Sequence, residues 1–482
     1  MIPTVYFVGA GPGAPDLLTA RAIGILRSAE LIVYDDLIHP NIFSMYADQA
    51  KLIPIGYRGD PTRKERPDIL NEEIIHWAKE GRRVVRLKGG DPLLYSRFSE
   101  EYDKLAQQDI LVEVIPGVSS GFAGLSSLGI PSTKKGVAGQ VIIESPHSSY
   151  KNQGATRLVY MPHAKIQSYC RRLLTRGYRP DTPAAYIQGI SSPLERVSVS
   201  NLETLHHSVY LSKDLSPGLV IVGDVLNDHK IPTKSPCLSL RIALTSLRRA
   251  PSKIETMLTN KAHDVVKIPL VQTKKVQHSS LAKELSRQDH TIMITSPEAV
   301  LYFKEAMIAE GYSRRFQKAN IVALGTETQK SLKEHFLYPD ITIEGFHESY
   351  YEKALAEHSY PSIIVLGERQ EFPGIKKKLE PYANQILELS LYENHYQGFR
   401  MVSPPPQVIV ATSVRSLSVM ENLTFGINLK AIPTVCMGAS IYQKAKDLGY
   451  ETCTRMNMGP QLIDDVIAFV EPTLPQTSTT QV

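Results

Sequence analysis

The chain has 482 residues, 42% hydrophobic and 21% charged, with a formal net charge of +5. That length suits about three or four ordinary domains with full cores, and the balance is that of a globular protein. No run of about 18 apolar residues is present, which argues against a membrane span, and no Lys/Arg-rich tract argues for nucleic acid. The start, Met1-Ile2-Pro3-Thr4 leading into Val5-Tyr6-Phe7-Val8, has no basic stretch and no cleavage site, so no secretory signal is read. Cys170, Cys237, Cys436 and Cys453 are scattered without a C-x-x-C pair. Neither a disulfide framework nor a metal site is expected, and the cytoplasm is the natural compartment.

Apolar β-branched runs alternate with helical patterns, which predicts α/β architecture with parallel sheets. Strands are expected at about 4–9, 31–34, 83–87 and 111–115, alternating with helices near 16–29, 68–80 and 96–107. After Pro116 the texture changes to a helix near 118–128, then strand-like runs at 138–144, 157–160, 184–188, 194–199 and 218–223. That pattern predicts a second lobe, about 116–230, richer in strand. Two prolines make 231–237 a linker. Region 238–470 then repeats itself: 292–296 opens a helix and leads to 321–326, as 408–413 opens one and leads to 434–440. Segments 241–270 and 363–392 each run strand, polar loop, helix, strand, and the tail 471–482 lacks apolar periodicity, as a disordered end would.

One stretch carries the most chemistry: Val84-Val85-Arg86-Leu87-Lys88-Gly89-Gly90-Asp91-Pro92, a buried strand breaking into a tight loop. Glycines there let backbone approach a ligand, and Pro92 stiffens the exit. Gly9-Ala10-Gly11-Pro12-Gly13-Ala14 and Tyr34-Asp35-Asp36-Leu37 precede it, and Ile115-Pro116-Gly117-Val118-Ser119-Ser120 follows. In that order the four motifs resemble the tetrapyrrole methylases that use S-adenosylmethionine, closest to uroporphyrinogen-III C-methyltransferase, over about 1–228. The doubled pattern of 238–470 resembles uroporphyrinogen-III synthase, with one lobe discontinuous (about 238–270 with 394–470) and the other about 271–393.

The resemblance implies a two-lobed methylase followed by a two-lobed α/β module. It implies S-adenosylmethionine held by Pro12, Gly89, Gly90, Asp91, Leu94, Ser119, Ser120, Met161 and Gly189. It implies Asp35 as proton acceptor for C-methylation of uroporphyrinogen III to precorrin-2, and a homodimer through the methylase half. For an octa-carboxylate substrate, Arg58, Arg63, Arg86, Arg97, Lys134 and Lys135 are candidate groove cations. In the second half it implies cyclisation of hydroxymethylbilane, with Tyr392 and the helix-start hydroxyls Thr295, Ser296, Thr412, Ser413 and Ser440 facing the substrate. Capping alone would also explain those five hydroxyls.

Departures from the family pattern lie on the substrate side. Tyr57 stands where the family has lysine, Gly13-Ala14-Pro15 replaces Gly-Asp-Pro, and Gly438-Ala439-Ser440-Ile441 replaces Gly-Pro-Thr-Thr. Two alternatives stay open. The second half could only bind or channel tetrapyrrole. The G-x-G-x-x-A spacing of 9–14 with Asp35 and Asp36 downstream also fits a dinucleotide fingerprint, and so an NAD-dependent oxidoreductase.

Overall fold

A computed structural model describes residues 2–55, 69–147, 154–162, 165–209, 218–227, 240–247, 253–260, 263–276, 290–309, 319–345, 347–357, 359–400, 405–457, 459 and 461–473. They fall into two compact units, Met1–Val271 with Tyr396–Val482, and Gln272–His395.

The first lobe of the first unit is a parallel sheet of β1 (Thr4–Gly9), β2 (Leu31–Tyr34), β3 (Lys51–Pro54), β4 (Val84–Lys88) and β5 (Leu111–Ile115), in the order β3-β2-β4-β1-β5. Every residue of the central strand β4 is buried. Its valines and leucine supply core, while Arg86 and Lys88 must find partners inside. The helix expected over 16–29 is a 3₁₀ turn, Pro15–Leu17, followed by a helix, Ala20–Arg27. Pro15 suits a first turn, and the Thr19 hydroxyl caps the later helix by accepting the Ala22 N–H. β3 and the helix Asn41–Tyr46 add to the predicted elements; at four and six residues they are too short to show a period.

The second lobe holds β6 (Gln140–Glu144), β7 (Ala155–Tyr160), β8 (Pro183–Gln188), β9 (Arg196–Asn201) and β10 (Gly218–Val222), in the order β6-β7-β10-β8-β9. Here the expectation of parallel sheets is corrected. β6 and β7 pair in parallel, but β7–β10, β10–β8 and β8–β9 are antiparallel. For β8–β9 the reason is connection length, since the short stretch between them cannot make a parallel crossover.

Next come β11 (Arg241–Thr245) and β12 (Asp264–Ile268). A further sheet, mostly within the second unit, holds β13 (Leu270–Lys275), β14 (His290–Ile294), β15 (Asn320–Leu324), β16 (Ile341–Ile343), β17 (Tyr360–Glu368) and β18 (Ala383–Gln397), ordered β13-β18-β17-β14-β15-β16. Alternate residues serve opposite faces: Ile292 and Ile294 join one apolar cluster, Met293 the other. The chain returns as β19 (Val408–Ala411), β20 (Thr434–Cys436) and β21 (Cys453–Arg455), completing the parallel sheet β12-β11-β19-β20-β21.

Within the first unit that last sheet and the opening lobe share one apolar core. Tyr34, Ile42 and Phe43 lie in the same cluster as Val266, Ile268, Phe399 and Phe425. The linker 231–237 and the tail from 474 lie outside the described residues, while Glu471–Thr473 forms a 3₁₀ turn. Among the described residues no helix is long and apolar enough to cross a membrane.

Candidate active site

The loops leaving β1, β4 and β5 meet at the carboxyl ends of the first sheet, where open parallel sheets bind ligands. The Gly90 N–H donates to the Gly11 carbonyl at 2.8 Å, and the Gly11 N–H to that of Gly90 at 3.2 Å. A Cβ on Gly117 would fall 2.2 Å from the Gly90 oxygen, so the crossing excludes any side chain there. Asp91 locks it: one carboxylate oxygen accepts the Leu93 N–H at 2.9 Å, the other the Gly117 N–H at 3.1 Å. This carboxylate staples two loops together. Leu94 follows, its N–H on the Asp91 carbonyl at 3.3 Å. At Gly90, with φ +67°, nothing lies within 4 Å of where a Cβ would stand, leaving backbone open to a ligand.

The second lobe reaches the same spot. Ser119 precedes the helix Ser120–Ser127 yet makes no cap bond. Its hydroxyl pairs with the Tyr160 hydroxyl at 2.5 Å, and the Tyr160 oxygen accepts the Gly121 N–H at 2.8 Å. Tyr160, not Ser119, therefore caps this helix. The Tyr95 ring stands 5.4 Å from that of Tyr160. Met161, next in the chain, is not the core residue its type suggests: it is 57% exposed, at φ 55°. Such backbone strain gathers at functional sites. Gly189 takes φ 64°, and a Cβ on Gly13, beside Pro12, would lie 3.4 Å from the Ile190 oxygen. The structure thus brings the loops of all nine expected cofactor residues together. The 9–14 stretch opens no helix directly, as a dinucleotide fold would require; Gly11 is tied to Gly90 instead.

Asp35 sits at the end of β2, 27% exposed, and accepts a hydrogen bond from Arg86 Nη2 at 2.6 Å. Arg86 also donates to Glu101 at 2.8 and 3.2 Å, and Lys88 Nζ to Glu101 at 2.8 Å. Burial opposes the guanidinium charge, but Asp35 and Glu101 outweigh it and raise its pKa. For Lys88, burial and then the Arg86 charge prevail and lower it. Glu101 resists burial because Arg86 and Lys88 hold its carboxyl below the usual range. Arg86 is accordingly corrected from groove cation to buried anchor: it belongs to a central strand, with its side chain 1% exposed. Tyr160, Glu101 and Lys88 escaped the sequence reading because their partners lie on other elements, 13 to 41 residues away.

Of the other groove candidates, Tyr57, Arg58 and Arg63 lie outside the described residues. Arg97 is exposed at the start of the helix Phe98–Ala106, 3.5 Å from Glu100. Lys135 is exposed and Lys134 half-buried.

In the second unit the Tyr392 and Ser296 hydroxyls lie 2.7 Å apart, and the Ser296 oxygen accepts the Ala299 N–H at 3.1 Å. Burial drives the Tyr392 pKa up, so the phenol stays protonated at neutral pH. The buried Thr295 hydroxyl has no hydrogen-bond partner among the described residues. In the first unit Thr412 donates its N–H to the Thr245 hydroxyl at 3.0 Å and its own hydroxyl to the Thr245 carbonyl. Ser413 caps its helix through the Ser416 N–H at 3.0 Å, and Ser440 is exposed. Among the described residues no group of three His, Cys, Asp or Glu is placed to hold a metal.

Residues 4–206 match the family model for Tetrapyrrole (Corrin/Porphyrin) Methylases. The chain is 34% identical over 233 residues to the uroporphyrinogen-III C-methyltransferase of Pseudomonas aeruginosa, covering 46% of this chain and 94% of that one. The chain belongs to the tetrapyrrole methylase family. It is also 35% identical over 234 residues to an S-adenosyl-L-methionine-dependent uroporphyrinogen III methyltransferase of Arabidopsis thaliana, covering 46% and 63% of the two chains. Beyond the methylase, residues 252–455 match the family model Uroporphyrinogen-III synthase HemD. A relative named porphyrin biosynthesis protein HemD, from Ruminiclostridium josui, is 28% identical over 376 residues, 73% of each chain. The chain spans about half the length of other curated relatives, 48% of one and 50% of another.

Proposed function

We propose that the methylase half transfers methyl groups from S-adenosylmethionine to uroporphyrinogen III, giving precorrin-2 by way of precorrin-1. The observation that carries this reading is the meeting of the Gly89-Gly90-Asp91 loop with both lobes, beside an accessible carboxylate at the end of β2. Open backbone at Gly90, the strained and exposed Met161 and the left-handed Gly189 fit a ligand held largely by main-chain groups. Pro12, Gly89, Gly90, Asp91, Leu94, Ser119, Ser120, Met161 and Gly189 would hold the cofactor, which when bound supplies an electrophilic methyl group. Methylation of a fully substituted ring carbon leaves the pyrrole cationic, and Asp35 then takes the proton the macrocycle loses elsewhere to become neutral, as general bases do within hydrogen-bond reach. Arg86 fixes the direction of that carboxylate. Exposed Arg97 and Lys135 offer charge to substrate carboxylates, and the same half would pair in a homodimer.

For the second half we infer closure of hydroxymethylbilane to uroporphyrinogen III, with the neutral Tyr392 phenol assisting departure of hydroxide. Full-length protein given hydroxymethylbilane tests this, because spontaneous closure yields the type I isomer. Type III product without cofactor, and methylated product with it, is expected. Type I alone would leave the second half as a tetrapyrrole-binding module.

A further inference from the structure

The segment carrying Asp35 is gripped by residues 224 to 366 positions away. At its start the Arg400 N–H donates to the Tyr34 hydroxyl at 2.9 Å. One residue past Asp35, the Asp36 carboxylate lies 3.6 Å from Arg400 Nε, with side chains 3% and 13% exposed. At its end His39 Nε2 meets Asp264 at 2.9 Å, and the other oxygen of Asp264 accepts from Arg241 Nε at 2.6 Å. The Asn41 amide donates to the Val265 carbonyl at 2.9 Å. Apolar contact runs beneath: Phe43 lies 4.6 Å from Tyr34 and 6.2 Å from Phe399 by ring centroids. Arg400 is itself held in place. A Cβ on Gly426, at φ +72°, would fall 2.6 Å from Arg400 Cγ, so the arginine stem packs directly on that glycine.

We propose that Arg400, from the synthase-like part of the chain, is a positioning residue for methyl transfer. Its guanidinium faces the Asp36 carboxylate and its backbone N–H holds the Tyr34 hydroxyl, so it restrains the side chains on either side of Asp35. The inference rests on the reading of Asp35 as the base. Asp35 is aimed by Arg86 from within the methylase sheet and by Arg400 from outside it. Misaiming a base by about 1 Å can cost about a hundredfold in rate. Methylation in this chain would then depend on the second domain being folded against the first.

The test uses the full chain with Arg400→Met, Arg400→Lys, Asp36→Asn and the double variant Arg400→Met/Asp36→Asn. For Arg400→Met, kcat for methylation of supplied uroporphyrinogen III should fall about ten- to a hundredfold. The KM for S-adenosylmethionine should stay put, because the glycine loops are untouched. Arg400→Lys keeps stem and charge and should recover most of the rate. The double variant should be no worse than the poorer single, as expected of residues acting through one contact. Hydrogen exchange should quicken at the amides of 34–41 in Arg400→Met, a readout independent of turnover. Unchanged kcat with unchanged exchange, or additive losses in the double variant, overturns the inference. A parent chain that transfers no methyl group overturns the functional reading instead, and exchange at 34–41 then decides alone whether Arg400 fixes the segment. If Arg400→Met does not fold, Arg400→Lys and Asp36→Asn carry the same comparison.

Discussion

The two halves spend their polar side chains differently. Around the Gly89-Gly90-Asp91 loop, each polar group bonds to a different segment: Asp91 to Gly117, Ser119 to Tyr160, Asp35 to Arg86. In the synthase-like part, Ser413 serves its own helix, Thr412 serves the neighbouring strand end, and Ser440 is exposed. Ser296 does both, capping its helix and meeting Tyr392. A network between segments preorganises a site, whereas a cap stabilises one helix end. The loops of the methylase half are therefore tied to one another by these bonds, while of the five hydroxyls in the other half only Thr412 and Ser296 bond to another segment among the described residues.

Substitutions can break that contrast, and the largest effect should come from Arg86→Ala. It strips Asp35 and Glu101 of a fully buried partner, a loss of about 3–5 kcal/mol, visible in the urea midpoint. A midpoint close to that of the parent would mean the network is dispensable. Asp35→Asn is gentler on the fold, since Arg86 keeps Glu101, but methyl transfer should drop about 10²-fold or more with cofactor binding retained. Wild-type turnover would assign the proton to another group. For Asp91→Ala two backbone N–H groups lose their acceptor, at about 1–3 kcal/mol, and calorimetry should find weaker S-adenosylmethionine binding as the two loops loosen. Binding and melting both unchanged would contradict the staple. Smallest is the pair in the other half: Ser413→Ala should cost about 1 kcal/mol as a lost cap, and Ser440→Ala less than about 0.5 kcal/mol as a surface change. If Ser440→Ala nonetheless slows cyclisation, the exposed hydroxyl has a chemical duty.

Much of the α/β order was legible in the sequence because buried strands leave unbroken apolar runs, as at 31–34 and 219–222. The glycine loop was legible because Gly and Asp at a strand end have few other uses. What escaped had no local signature. Arg86 reads like any cation until β4 is seen at the centre of its sheet, and Tyr160 is one tyrosine of 23 until its hydroxyl meets Ser119 and Gly121. The mixed sheet of the second lobe escaped for the same reason: strand direction depends on connections, and no strand's composition records it. The grip of Arg400 on the Asp35 segment is the extreme case, since the partners are 364 to 366 residues apart.

The central claim is methyl transfer to uroporphyrinogen III. Purified full-length protein, incubated anaerobically with uroporphyrinogen III and methyl-labelled S-adenosylmethionine, should yield a tetrapyrrole bearing two labelled methyl groups by mass spectrometry, with Asp35→Asn strongly reduced. A tetrapyrrole of unchanged mass from protein that binds the cofactor would contradict it.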